Sequence, residues 1–220
     1  MVSRNIFFWQ VDTQRDFMLP GGKLYVPGAE ERIPNMKRLV DAARDGRVLL
    51  VSDACVHEPD DPEFAQFPPH CVRGTEGAKI VPELLAERHI RIASSLEARL
   101  PDDLFAWQQI VLEKQMLDVF TNPHTAKLVE RLAPLDSSAK GREAEFFVFG
   151  VVTEYCVRLA AKGLLDRGRR VALVTDAIEA LNPAAGIGAL DELDQLGARF
   201  VTASEVLRTL DDAKSDASPS

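Results

Sequence analysis

The stretch FFVFGVVTEYCVRLAAKGLLD, residues 146–166, decides the fold. Its first half, Phe146 to Val151, is apolar at every position, as expected of a parallel strand covered by helices on both faces. Its second half, Glu154 to Asp166, reads as a helix. A strand feeding directly into a helix is half of a β-α-β unit, and the pattern recurs on either side. Upstream lie strands at Ile6 to Val11, Arg47 to Ser52 and Ile110 to Glu113. Helices are expected at Glu30 to Arg44 and His124 to Leu132. In the first, Ile33, Met36, Leu39, Val40 and Ala43 share one face at the three-and-four spacing. Downstream come a strand at Val171 to Thr175, a helix within Ala184 to Gly197, a short strand at Phe200 to Thr202 and a final helical piece at Ser204 to Leu210. His89 to Ser94 fits an additional strand or an edge piece.

This alternation predicts an α/β fold: an open, mostly parallel sheet of about six strands with helices on both faces, joined by right-handed crossovers. One domain over residues 1–210 is expected, followed by an Asp-, Ser- and Ala-rich tail over 211–220 that frays. Composition narrows the function classes. There are 34 acidic and 26 basic residues, a net charge of -8, which argues against nucleic-acid binding and against docking on an anionic membrane. The longest apolar run, Phe146 to Val152, is far short of a membrane span. The first twelve residues read as a strand and not as a secretion signal. The three cysteines, Cys55, Cys71 and Cys156, form no CxxC pair and fit a reducing, cytoplasmic setting.

Parallel sheets of this kind carry their chemistry at the carboxyl ends of the strands. The residues there are Asp12, Asp53, Lys114, the Gly150 to Cys156 segment and Asp176. Cys156 reads either as a buried structural cysteine or, at a helix N-terminus that favours a thiolate, as a nucleophile. Asp12 reads as a turn cap or as a used carboxylate. Lys114 reads as a solvated charge or as the cation that holds the other two. A second cluster lies in the proline-rich loop after the second strand. Asp53, His57 and His70 can ligate a metal there, with Glu63 as a fourth donor; imidazole and carboxylate suit zinc, iron or manganese. The same residues also fit plain loop charges and a loop-stabilising His70.

Four motifs in order, VDTQRDF at 11–17, FPPHCVRGTEG at 67–77, EKQ at 113–115 with DVFTNP at 118–123, and GVVTEYCV at 150–157, resemble the isochorismatase-like cysteine hydrolase superfamily, and within it the nicotinamidase branch. The resemblance covers about residues 5–205. It implies a catalytic triad of Asp12, Lys114 and Cys156, a cis peptide between Val151 and Val152, and an oxyanion site made by the N–H groups of Val152 and Cys156. Phe17 and Tyr155, beside the triad motifs, are the expected substrate-contacting aromatics, whereas Trp107 and Phe120 read as core. It also implies hydrolysis of a small carboxamide with nicotinamide as first choice, a divalent metal and no organic cofactor, and a homo-oligomer. The alternatives are an isochorismatase-type or metal-free amide or ureido hydrolase, or a non-catalytic homologue serving as a binding module.

In nicotinamidases the metal is held by an Asp, a His two residues later, a further His or acid, and the His of the PPHC segment. Asp53 and His70 match the first and last. Two residues after Asp53, however, stands Cys55, and the nearest histidine is His57. Either His57 still reaches the metal, or Cys55 is a ligand, or the site is altered; the preferred set is Asp53, His57 and His70.

Overall fold

Residues 5–134 and 144–215 are described by the structure, a computed structural model. Seven strands form one parallel sheet: β1 (Ile6–Val11), β2 (Leu49–Cys55), β3 (His89–Ile92), β4 (Gln109–Lys114), β5 (Glu145–Val151), β6 (Arg170–Glu179) and β7 (Arg199–Val201). Their order is β3-β4-β2-β1-β5-β6-β7. The sheet therefore has one strand more than expected, because His89–Ile92 pairs with β4 as an edge strand.

The helices are α1 (Arg15–Met18), α2 (Ala29–Arg44), α3 (Thr125–Leu132), α4 (Arg158–Leu165), α5 (Pro183–Gln195) and α6 (Ala203–Ser215). Helices α2 and α6 touch each other and β6, whereas α4 packs on β5 and β6 beside α5. Met36, Leu39, Val40 and Ala43 of α2 are buried, as their spacing predicts. Between the layers lie Phe7, Phe8 and Trp9 of β1, all fully buried. Phe7 stacks on Phe146 across the β1–β5 pair. Full burial of both faces explains why the central strands are apolar throughout.

Three boundaries differ from the sequence reading. Strand β2 runs to Cys55, three residues past the expected end. Strand β6 continues to Glu179, with an irregularity opposite Val148 and Gly150. Helix α6 extends to Ser215, so 211–215 are helical where a fraying tail is expected, and the Asp211 carboxylate lies 2.6 Å from Arg47 Nη2. Residues 216–220 of that tail lie outside the described part. Among the described residues, no helix is long and apolar enough to cross a membrane.

The chain leaves β1 toward β2 on one side and returns to β5 on the other. The β1/β5 boundary is thus the point where the strand order reverses, the usual place for a binding crevice. Gly150 makes that boundary tight. Its φ is +123°, and a Cβ there would sit 2.0 Å from the Val11 carbonyl oxygen. Gly150→Ala is therefore expected to destabilise the protein by at least about 3 kcal/mol through overpacking and backbone strain. The urea midpoint of the variant checks this.

Candidate active site

Four adjacent strands, β4, β2, β1 and β5, deliver the site. Register sets the heights. Val11 pairs with Asp53 and with Gly150, and Cys55 pairs with Lys114. Asp12 follows β1 in the left-handed region, φ 45°, a conformation Asp tolerates better than most residues. Its N–H donates to the Asp53 carbonyl, and its Oδ1 accepts from the Cys55 N–H at 3.1 Å. After β5 the Val151–Val152 peptide is cis, and residues Thr153–Val157 make one wide π-helical turn before α4. Cys156 sits in that turn, 5% exposed.

The triad expected from the motifs comes together around Lys114. This ammonium is fully buried and lies 2.8 Å from Asp12 Oδ2, 3.4 Å from Cys156 Sγ and 3.1 Å from Cys55 Sγ. The ammonium is thus ion-paired with one carboxylate and donates to two sulfurs, the kind of compensation a buried charge requires. Burial alone would lower the Lys114 pKa. The Asp12 charge, and then Cys156 and Cys55, more than offset this and hold it well above its ordinary value. For Cys156, contact with Cys55 and then burial push the thiol well up, with Lys114 opposing them. These directions favour the thiol form of the nucleophile candidate at rest.

Cys156 borders a small pocket, with about 350 Å³ of empty space including its mouth to solvent, lined also by Phe17, Glu63, Phe67, His70 and Tyr155. The expected aromatics Phe17 and Tyr155 both line it, and Val152 does as well. Phe67 stands edge-on to Tyr155 and escaped the sequence reading, although it opens the FPPH motif. Leu24, Leu117 and Leu181 complete the wall; they come from three separate loops and carry no local signal. Of the aromatics read as core, Phe120 stacks on the buried Trp9 and Trp107 packs against the hydrophobic core.

At the rim of β2 the structure brings together Cys55, His57 and His70, whose ligand atoms lie within 4.8 Å of one another. Asp53, the ligand preferred on sequence, does not join them. Because β2 runs on to Cys55, Asp53 lies inside the sheet, where its Oδ2 accepts from Trp9 Nε1 at 2.8 Å. Burial, and next the Asp12 charge, push its carboxyl well above the usual range. Cys55-Val56-His57 holds the spacing that was sought between Asp53 and a histidine.

His57 Nδ1 faces Asp61 Oδ2 at 3.0 Å, and His70 Nδ1 faces the Pro68 carbonyl at 2.8 Å. Each ring thus keeps its Nε2 lone pair for the space between them. Among the described residues, His57 Nε2 is buried without a hydrogen-bond partner. Glu63 Oε1 stands 3.9 Å from His57 Nε2 and 3.8 Å from His70 Nε2. Burial lowers the His70 pKa, which keeps the ring neutral and able to ligate. An orphaned imidazole nitrogen among donors of this kind fits a divalent metal ion.

Two supporting residues were missed. Gln14 clamps Cys55 from both sides, its Oε1 accepting from the Cys55 N–H at 2.8 Å and its Nε2 donating to the Cys55 carbonyl at 2.7 Å. Asp16 accepts from the Cys71 N–H at 2.7 Å and so fixes the loop that carries His70. Both lie within VDTQRDF, but their partners are distant in sequence. Cys71 is fully buried, as its packing role requires. Asp176, a strand-end candidate, accepts from the Ala203 N–H at 2.8 Å and serves the start of α6.

The isochorismatase domain profile matches residues 10–93 and 91–205. The chain belongs to the isochorismatase-like superfamily, on its nicotinamidase-related branch. A nicotinamidase of Escherichia coli strain K12 is 25% identical over 217 residues, covering 89% of this chain and 93% of the relative. The crystal structure of an isochorismatase-like hydrolase from Alkaliphilus metalliredigens shares the fold, with a TM-score of 0.72 at 20% identity, over 93% of this chain and 98% of that one. A pyrazinamidase of Pyrococcus horikoshii, solved in complex with zinc, has a TM-score of 0.68 at 26% identity, over 90% and 99%. Membership of this superfamily makes the chain a hydrolase and agrees with the seven-stranded parallel sheet.

Proposed function

We propose that this hydrolase cleaves the C–N bond of a small carboxamide, nicotinamide first, through a thioester on Cys156. The observation that carries the reading is the buried Lys114 ammonium, in reach of both Asp12 and Cys156 at the wall of a small aromatic-lined cavity.

The Cys156 thiol gives its proton to Asp12 as sulfur attacks the amide carbon. Lys114 keeps the Asp12 carboxylate and the forming thiolate charged in a site without bulk water. The N–H groups of Val152 and Cys156 receive the negative oxygen. One such donor is worth about 2.7–4 kcal/mol in comparable sites. Protonated Asp12 then supplies the proton with which ammonia leaves. Water, deprotonated by the same carboxylate, cleaves the thioester and releases the acid. Phe17 and Tyr155 hold the flat ring of the substrate. His57 and His70 would hold a divalent ion, which supplies a Lewis-acid anchor for a ring nitrogen when bound. The three cysteines are free, in keeping with a cytoplasmic setting.

The test is ammonia release from nicotinamide by the zinc-supplied protein, beside pyrazinamide, an N-carbamoyl amine and isochorismate. Saturable ammonia release from nicotinamide is expected, with at least about tenfold higher kcat/KM than for the N-carbamoyl amine, a difference of about 1.4 kcal/mol. Turnover of another compound alone would remove nicotinamide and keep the hydrolase. Inertness toward all of them would favour a binding module.

A further inference from the structure

The cluster at the rim of β2 contains a donor that differs in kind from a carboxylate. Cys55 is 2% exposed, and its main chain is held by Gln14 on both sides and by Asp12 Oδ1. Its sulfur belongs to the group of three ligand atoms that spans no more than 4.8 Å. The two imidazoles of that group are already oriented by Asp61 and by the Pro68 carbonyl. His57 Nε2, in a fully buried ring, has no hydrogen-bond partner among the described residues, and the nearest carboxylate oxygen, Glu63 Oε1, stands 3.9 Å away. The carboxylate that could have served in place of sulfur, Asp53, is bonded to Trp9 inside the sheet.

We propose that Cys55 is a thiolate ligand, completing a His₂Cys metal centre with His57 and His70 that selects zinc over manganese and magnesium. Glu63 flanks the open side and lines the cavity. Thiolate and imidazole suit zinc, whereas manganese and magnesium prefer oxygen donors. Binding replaces the thiol proton of Cys55 by the metal and releases that proton to solvent, one per ion. The Lys114 ammonium at 3.1 Å from the sulfur offsets part of the added negative charge. Three protein ligands would leave a position for water or substrate, the pattern of catalytic zinc sites. The inference meets the proposed amide chemistry only through this shared ion, and its test reads the ion without turnover.

The protein is stripped with a chelator and titrated with cobalt(II). One equivalent is expected to saturate it, with a near-ultraviolet sulfur-to-cobalt charge-transfer band and release of about one proton. Cys156→Ala keeps the band. Cys55→Asp keeps the stoichiometry and loses the band, and its affinity for manganese relative to zinc rises at least about tenfold. X-ray absorption of the zinc-loaded parent chain, which needs no variant to fold, is expected to show one sulfur at about 2.3 Å and nitrogens at about 2.0–2.1 Å. A shell of nitrogen and oxygen only, absence of stoichiometric binding, or a band that follows Cys156 instead of Cys55 would each overturn the assignment. A present band with inert nicotinamide would leave the assignment standing and remove the substrate.

Discussion

Cys156→Ala is expected to lower kcat for amide hydrolysis by more than about 10⁴-fold while leaving the protein folded. The size follows from the role. Removing a covalent nucleophile removes the only route that splits the reaction into two easier steps, and comparable deletions cost up to about 10⁶ in kcat. The remaining groups, Asp12 and Lys114, can polarise a bound amide but cannot form the thioester. The expected preservation of the fold follows from the packing. Cys156 borders the cavity, and loss of its sulfur removes one contact of an ammonium that keeps Asp12 and Cys55 as partners. Stability should change by no more than about 1 kcal/mol, read from denaturant midpoints. Rapid quench with the parent protein should show a burst of ammonia and an acyl adduct on Cys156 by mass spectrometry, both absent in the variant. Turnover near the parent rate would assign the chemistry to another group, and Cys55, on the same ammonium, would be the first to examine.

The sheet and the meeting of Asp12, Lys114 and Cys156 were legible in the sequence for a related reason: both depend on strand ends. A fully apolar run such as Phe146 to Val151 announces a central strand, and residues just after such runs lie on one rim. Strand ends put Asp12, Lys114 and Cys156 on that rim, and the family resemblance is what joined them as a triad. The metal cluster was misread because the end of β2 is not a local property. Ser52 and Asp53 look like the close of a strand, and only pairing with β4, where Cys55 meets Lys114, carries it onward. The bond from Trp9 to Asp53 is likewise formed over 44 residues. With the strand prolonged, Cys55 and not Asp53 stands beside His57 and His70. The tail was misjudged for a similar reason. Asp, Ser and Ala suggest fraying, but α6 is extended past Leu210, and Asp211 meets Arg47 from 164 residues away. Leu24, Leu117 and Leu181 share a wall only because the fold closes three loops over one rim.

Lys114→Met should be the most damaging single change to stability among the site residues, and the double variant Asp12→Asn/Lys114→Met should recover much of the loss without recovering activity. Lys114 and Asp12 are 0% and 1% exposed and 2.8 Å apart. Taking the ammonium away leaves a carboxylate in the interior with no counter-charge, a change that costs about 3–5 kcal/mol. The protein can escape part of that cost only by putting a proton on the carboxylate. The deficit relative to the parent should therefore be smaller at pH 5 than at pH 8, because acid supplies that proton. No such trend is expected in the parent from Lys114. Its Lys114 pKa is raised in the fold, so the contribution is complete below the unfolded lysine value of about 10.4 and fades only as pH climbs through the raised value. Exchanging both partners for neutral groups of similar size removes the orphaned charge, and such exchanges are often neutral or stabilising. Urea melts of the four proteins in this cycle measure the coupling, expected at about 2 kcal/mol or more. The catalytic consequence runs the other way. The double variant has no carboxylate to accept the Cys156 proton, and the single variant has no ammonium to hold carboxylate and thiolate charged together, so both should lose at least about 10³-fold in kcat/KM. Additive stability losses, or activity restored by the double change, would mean that Lys114 and Asp12 act independently and that the ammonium is not what holds the carboxylate charged beside the thiol.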